Sequence, residues 1–178
     1  MKPNQLLVIA GACVVAVVLR FPDFPGANFG AMLALSLLCG STIRHRAVFF
    51  LPLGIRLLTD VVIQYKTGYG FFASWPFDYA AYALICLVGS QIRPHRVLAV
   101  FGGTVGSIGL YFFLSNLGVW IISDMYPHNL AGLVLCYSKA LPFARGTIMG
   151  NMLMVPVFFG AWHMATVSSE VSEVVTAD

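Results

Sequence analysis

The chain is a succession of apolar segments, separated by short turns that are rich in arginine, proline and glycine. A hydrocarbon core about 30 Å thick takes roughly 20 apolar residues per helix, and about 17 are tolerated. Six segments come close to this length. Their approximate bounds are 5–19, 27–43, 47–67, 77–92, 97–122 and 146–166. The sequence therefore predicts an all-α, polytopic membrane helix bundle with about six transmembrane helices.

The composition agrees with a protein that is covered by lipid. Hydrophobic residues make up 59% of the 178 residues and charged residues only 10%, where a soluble domain carries about 25%. We expect a single integral membrane domain over residues 1–166 and a short acidic cytoplasmic tail over 167–178. Lys2 and the apolar run behind it resemble a signal peptide, but no small-x-small cleavage site follows, and we interpret the run as a retained first span.

Several classes of function are disfavoured by the residue pattern. The ten basic residues are scattered in turns, so we expect no nucleic-acid partner. The four cysteines have no CxxC spacing and the four histidines are dispersed, so we predict neither a disulfide framework nor a metal site. There is no P-loop and no assignable catalytic constellation. The chain is expected to be neither an enzyme nor itself a nucleotide-driven pump, and to need no cofactor.

Two compact basic turns indicate the orientation of the chain. They are Arg44-His45-Arg46 after the second span and Arg93-Pro94-His95-Arg96 after the fourth. Because lysine and arginine in short loops favour the cytoplasmic side, both turns and both termini are predicted to be cytoplasmic. We expect a multi-pass protein of the cell's inner membrane, with its third and fifth loops facing outward.

Arg56 and Asp60 are two charged residues within the third apolar segment. Isolated charges are costly at the bilayer centre, and residues spaced i, i+4 lie on one helix face and can pair. Two interpretations stay open. The pair lines a polar substrate or ion site, or it is an internal ion pair that locks helix packing.

Further polar candidates lie in the fifth and sixth segments. Asn116 is expected to face the bundle, because an amide is unfavourable against lipid, and it bonds either a ligand or a neighbouring helix. Trp120, one turn later, is either a binding residue or part of an interfacial aromatic belt. Asn151 is placed so that it can face the same outward cavity.

Two loops supply aromatic candidates. The third loop carries Tyr69, Phe71, Phe72 and Trp75, which either grip a planar ligand or form a belt. The fifth loop, residues 123–145, is predicted to close an outward pocket with Tyr126 and Tyr137. Its apolar stretch Leu130–Tyr137 is too short to span and is predicted to be a helix that lies at the interface or caps the bundle.

Small residues recur with a spacing of four, as in Ala12-xxx-Ala16 and Gly102-xxx-Gly106. Such patterns indicate close helix packing. Ala12 and Ala16 have a second interpretation, because a stripe of small residues on an edge helix can dock a partner subunit.

The sequence resembles the DUF6580 family, small bacterial membrane proteins of unknown function that are described as transport proteins. The resemblance covers roughly residues 28–163. It rests on Asn28-Phe29, on Pro52 with Thr59-Asp60, and on the segment 116–120, Asn-Leu-Gly-Val-Trp. The most specific part is residues 125–133, Met-Tyr-Pro-His-Asn-Leu-Ala-Gly-Leu, followed by Cys136-Tyr137 and residues 140–143, Ala-Leu-Pro-Phe. Where the family pattern usually has Ser before the third-span Asp and often Asp after Gly in the sixth span, this chain has Thr59 and Asn151.

Proteins of this kind look like the substrate-binding S components of energy-coupling-factor (ECF) transporters. That resemblance implies six helices, an outward pocket capped by loops, and an Ala-xxx-Ala stripe that meets an ATPase-bearing energising complex. Our leading hypothesis is a subunit that captures a small molecule, such as a vitamin or cofactor precursor. Its substrate-binding residues would be Arg56, Asp60, Asn116, Trp120, Tyr126, Tyr137 and Asn151. The alternative is a structural or assembly membrane protein without a ligand.

Overall fold

A computed structural model describes residues 1–21, 29–43, 45, 50–72 and 74–177, with side chains as far as residue 169. Within these residues the fold is all-helical, with six helices and no strand. They are α1 (Pro3–Val18), α2 (Met32–Thr42), α3 (Phe50–Thr67), α4 (Trp75–Ser90), α5 (Val97–Ile122) and α6 (Leu130–Ala177). The prediction of an all-α protein is confirmed.

Two helices, α5 (Val97–Ile122) and α6 over Leu130–Ser169, are long and apolar enough to cross a membrane. The bounds of α5 match the predicted span. Proline marks the starts of α1 and α4, where Pro3 and Pro76 occupy the first turn. At that position the missing N–H of proline has no intrahelical acceptor to lose.

The sixth helix corrects one prediction. Leu130–Tyr137 is not a separate helix, because it forms the first turns of a continuous helix of 48 residues. Pro142 and Pro156 lie inside this helix at exposed positions, and each removes one backbone N–H from its hydrogen bonding. The fifth loop is accordingly reduced to Ser123–Asn129, and the Asn129 Oδ1 atom accepts the Gly132 N–H at 2.9 Å as a cap of α6.

The second helix is the centre of the bundle. All residues from Met32 to Gly40 are buried, and the helix contacts the five others. A helix that is apolar on every side is expected in such a position. It has 11 residues and is shorter than the predicted span 27–43, since Phe29, Gly30 and Ala31 precede it outside helical structure.

Close packing of α2 against α4 depends on two glycines. A Cβ atom on Gly40 would collide with the backbone of Cys86, and one on Gly89 would lie 2.6 Å from the Leu37 carbonyl oxygen. Glycine is therefore required at both crossing points. By contrast, Gly102 and Gly106, whose spacing predicted close packing, have open space around them.

Ala12 and Ala16 are placed on the inward face of α1. They are 3% and 0% exposed and belong to the main apolar core, which α1 shares with α2 and α6. This stripe packs within the chain and leaves no free surface, so the prediction that it docks a partner subunit is wrong. Of the two basic turns, residues 93–96 join α4 to α5, whereas Arg44 and Arg46 lie outside the described residues, as do Asn28 and Asp178.

Candidate functional site

A cavity of about 900 Å³ opens at the end of the bundle where the loop from α3 to α4 and the loop from α5 to α6 meet. Its walls also come from the segment after α1 and from the first turns of α2. The polar and aromatic side chains that line it include Arg20, Arg56, Phe72, Asp78, Tyr82, Tyr111, Asn116, Tyr126, Lys139 and Asn151. Such a volume is at the upper end of the range for small-molecule sites.

Arg56 and Asp60 form the ion pair that their spacing predicts. The Arg56 Nε atom donates to Asp60 Oδ2 at 2.7 Å, and both residues are buried, with 6% and 0% exposure. Arg56 lines the cavity and Asp60 does not. Arg56 therefore lies at the cavity surface, whereas its ion-pair partner Asp60 lies behind it.

Asp60 is held by donors from three parts of the chain. Besides Arg56, the Arg20 Nη2 atom forms an ion pair with Asp60 Oδ1, and the Tyr79 hydroxyl donates to Asp60 Oδ2 at 3.0 Å. A buried carboxylate needs compensation of this kind. Asp60 thus holds two arginines from behind and does not itself line the cavity, and its role in substrate binding stays a prediction.

Arg56 also contacts the opposite wall. Its Nη1 atom donates to the Tyr82 hydroxyl at 3.1 Å, its guanidinium carbon lies 5.4 Å from the centre of the Tyr82 ring, and the Tyr82 and Tyr111 rings lie 5.4 Å apart. These contacts fix the guanidinium between a carboxylate and an aromatic face. A fixed arginine beside two tyrosines can recognise an acceptor group without rearrangement.

Asp78 is a cavity residue that the sequence analysis missed. It is 9% exposed, its Oδ2 atom lies 3.9 Å from Arg56 Nη2, and its Oδ1 atom has no hydrogen-bond partner among the described residues. The sequence did point to Asp78, because an acidic residue inside an apolar segment is a functional candidate. It is easily overlooked in the first turn of a helix, where acidic residues are common.

Arg20 was also missed, because it reads as a turn residue that closes the first span. In the fold it returns to Asp60, 40 positions along the chain, and lines the cavity. Its Nε atom has no partner among the described residues. Nothing in the sequence around Arg20-Phe21-Pro22 predicts the long-range ion pair with Asp60.

The two asparagines both line the cavity. Asn116 Nδ2 donates to the Phe112 carbonyl of its own helix at 2.7 Å. Asn151 is 2% exposed, and its Oδ1 atom accepts the Ala34 N–H at 3.0 Å, so it caps the start of α2 from α6. The predicted location of both residues at one cavity agrees with the structure, and Asn151 has a structural task as well.

Tyr126 of the fifth loop lines the cavity. Trp120 donates from Nε1 to the Pro127 carbonyl at 3.0 Å and packs edge-on against His128, which anchors the fifth loop. The Tyr137 hydroxyl donates to the Phe113 carbonyl at 2.7 Å. Trp120 and Tyr137 are not among the residues that line the cavity, and their binding role stays a prediction.

The third loop is shaped by Gln64, whose Oε1 atom accepts the N–H groups of Gly70 and Phe71 at 2.8 and 3.2 Å. Tyr69 and Phe72 line the cavity, whereas Trp75 packs edge-on against Phe71 and is 45% exposed. The aromatic residues of the loop therefore divide between the two positions that the sequence left open, the cavity and the surface. Part of it faces the cavity and part of it is a surface aromatic.

The arrangement is suited to binding. Among the described residues, no group of three or more His, Cys, Asp and Glu side chains is placed to hold a metal ion. The side chains at the cavity offer fixed donors, a carboxylate and aromatic faces, which can orient a small polar molecule.

Comparison with known proteins gives one match. A family model described as "Family of unknown function (DUF6580)" matches residues 1–174, almost the whole chain. No curated protein and no solved structure matches the chain.

Proposed function

This chain belongs to the DUF6580 family, and from that premise we propose that it is a membrane transport protein whose cavity captures a small molecule. The observation that carries the proposal is the cavity of about 900 Å³ with Arg20, Arg56 and Asp78 in its wall. Charged side chains are retained inside an apolar bundle at a considerable cost in free energy, and such residues usually mark substrate pathways.

Exposed apolar side chains support a location in the membrane. On α3 the residues Leu57, Leu58 and Val61 are 46%, 68% and 51% exposed, and on α5 Leu98 and Phe101 are 86% and 59% exposed. Apolar surface of this extent needs a cover. We propose that lipid is that cover and that six segments of the chain cross the inner membrane, with α2 as a short central helix enclosed by the other five.

The orientation follows from the positive turn between α4 and α5, which carries Arg93 and Arg96. With this turn in the cytoplasm, both termini are cytoplasmic and the cavity, at the other end of the bundle, opens outward. Substrate would enter from outside, between the third and fifth loops.

The likeness to S components of ECF transporters, and with it an ATPase-bearing partner, stays a prediction. The inward burial of Ala12 and Ala16 removes the surface that the analogy assigned to such a partner. A chain that works alone, or with a partner bound elsewhere, fits the same cavity.

The test is native mass spectrometry of the protein released from lipid nanodiscs. We expect a small molecule to accompany the wild-type chain and to be lost in Asn116→Ala, because the Asn116 side chain lines the cavity yet bonds only its own helix among the described residues. Ser138→Ala is the matched control. Its hydroxyl donates to the Val134 carbonyl at 2.7 Å in the same i to i−4 manner, and it does not line the cavity.

The rival is a structural or assembly protein, and the complete compensation of Asp60 favours it. That hypothesis predicts a co-purifying protein and no small molecule. Wild-type chain that carries no ligand in nanodiscs prepared directly from the native membrane would count against ligand capture.

A further inference from the structure

Two polar atoms of cavity-lining residues have no partner among the described residues, and they have opposite hydrogen-bonding sense. Asp78 Oδ1 can only accept, unless the carboxyl is protonated, and Arg20 Nε can only donate. Buried polar groups in folded proteins are nearly always paired, so each exception asks for an explanation. A ligand that pairs with both atoms would supply one.

The position of Asp78 in the first turn of α4 does not account for its free oxygen. A helix N-terminus favours a carboxylate there, but no backbone N–H of α4 is bonded to the side chain. The side chain is 12% exposed and lines the cavity. Because rotation about χ2 of Asp is broad and roughly two-fold, the free oxygen can turn toward a donor in the cavity.

The Arg20 Nε atom is itself buried, so a ligand in the cavity reaches it only if the neighbouring wall shifts. The ion pair between Nη2 and Asp60 holds the guanidinium group, while the side chain stays 24% exposed at the cavity. The start of α2 opens on the same cavity through Met32 and Leu33. Since the positive end of a helix dipole favours an acceptor, both features attract the same kind of group.

The charge balance argues against a simple cation. Arg20, Arg56 and Lys139 line the cavity together with one carboxylate, Asp78, and Asp60 lies behind the arginines. Three positive charges against two negative ones disfavour a ligand that carries positive charge alone. A molecule with both a donor and an acidic acceptor fits this balance.

The shape of the walls favours a flat molecule. Phe72, Tyr82, Tyr111 and Phe112 line the cavity, and the adjoining Tyr82 and Tyr111 rings make a continuous aromatic surface. Aromatic faces bind planar groups by stacking.

We propose that the ligand is a small planar, amphoteric molecule that gives a nitrogen-bound hydrogen to Asp78 and an acidic or carbonyl oxygen to Arg20. This inference rests on the proposed function of ligand capture. It assigns Asp78 and Arg20 as the residues that decide which molecules are captured.

Four probes test the pattern, namely 4-aminobenzoate and 3-aminobenzoate, which carry donor and acceptor, benzoate, which has only the acceptor, and aniline, which lacks it. Dissociation constants are measured by saturation-transfer NMR on the protein in nanodiscs. We expect at least one aminobenzoate to bind about tenfold more tightly than benzoate and aniline, because it makes one more charge-assisted hydrogen bond than either.

Two variants separate the contacts. Asp78→Asn should remove the advantage over benzoate, since an amide no longer offers a carboxylate to the amine. Arg20→Lys keeps a charge beside Asp60 but lacks an Nε donor, and it should remove the advantage over aniline. Asp124→Asn is the control, because it makes the same change at an exposed loop residue that does not line the cavity.

Equal binding of all four probes, no binding of any of them, or an unchanged preference in Asp78→Asn would overturn the inference. Each of these results can coexist with a different molecule co-purifying in the mass-spectrometric experiment. Ligand capture fails only there, so the failure of one proposal is distinguishable from the failure of the other.

Discussion

Arg56 and Asp60 lie one helical turn apart on α3 and share a hydrogen bond of 2.7 Å between Nε and Oδ2 in the buried centre of the bundle. Asp60→Ala leaves Arg56 and Arg20 without their shared carboxylate. Removing one partner of a buried ion pair costs about 3–5 kcal/mol. We therefore expect a loss of that size in the free energy of unfolding, measured by detergent titration in mixed micelles.

The matched control for this variant is Asp124→Ala in the exposed fifth loop, which should change the free energy of unfolding by less than about 0.5 kcal/mol. If the two alanine variants unfold alike, Asp60 does not hold the bundle together and its assignment as a supporting residue is wrong.

Asn151 links α6 to the start of α2 through the Ala34 N–H, and this bond makes a second prediction. Asn151→Leu leaves a buried N–H unpaired and should lower the free energy of unfolding by about 1–3 kcal/mol. Asn151→Asp keeps the acceptor beside a helix N-terminus and should retain most of the stability. Equal losses in both variants would show that the volume of the side chain matters and its oxygen does not.

The crossing of α2 and α4 makes a third prediction, because Gly89 has the Leu37 carbonyl oxygen where a Cβ would go. Gly89→Ala should cost about 1–3 kcal/mol of unfolding free energy, since a backbone atom cannot turn aside as a side chain can. Gly102→Ala on α5 meets nothing within 4 Å and should be neutral or slightly stabilising. A neutral Gly89→Ala would contradict the close approach of the two helices.

The fourth prediction separates two aromatic residues of the fifth loop and its neighbourhood. Tyr126 lines the cavity, whereas Trp120 only anchors the loop through Pro127. In native mass spectrometry, Tyr126→Ala should reduce the ligand-bound fraction severalfold, and Trp120→Phe should leave most of it in place. The reverse order would place the ligand against α5 near Trp120.

The fifth prediction concerns orientation. In a chain whose native cysteines are replaced by alanine, we introduce a single cysteine at His95 or at Asp124, both exposed. A membrane-impermeant maleimide added to intact cells should label Asp124→Cys and spare His95→Cys. Labelling of His95→Cys alone would reverse the topology and turn the cavity toward the cytoplasm.

Hydropathy was enough to locate the helices, because the apolar runs are bounded by arginine and proline, which are typical of helix ends. The bounds of α5 were predicted to the residue. The continuity of α6 was not, because a proline such as Pro142 usually ends or kinks a helix.

The candidate site was predicted in part. The i, i+4 spacing of Arg56 and Asp60 reports their pairing directly, whereas the approach of Arg20 to Asp60 depends on how α1 packs against α3. The position of Trp120 outside the cavity lining was not foreseen for a different reason. A helix such as α5 is apolar on every side, so periodicity cannot distinguish its inward face from its lipid-facing one.

The continuous helix α6 connects two distant parts of the molecule. Its 48 residues measure about 72 Å along the helix, more than twice the thickness of a hydrocarbon core of about 30 Å. Asn151 of α6 lies in the cavity wall. Farther along the same helix, the Thr166 hydroxyl accepts from Gln5 Nε2 at 3.3 Å, near the amino terminus of the chain. A displacement of α6 at the cavity wall would also shift its contact with Gln5, because one continuous helix joins the two positions.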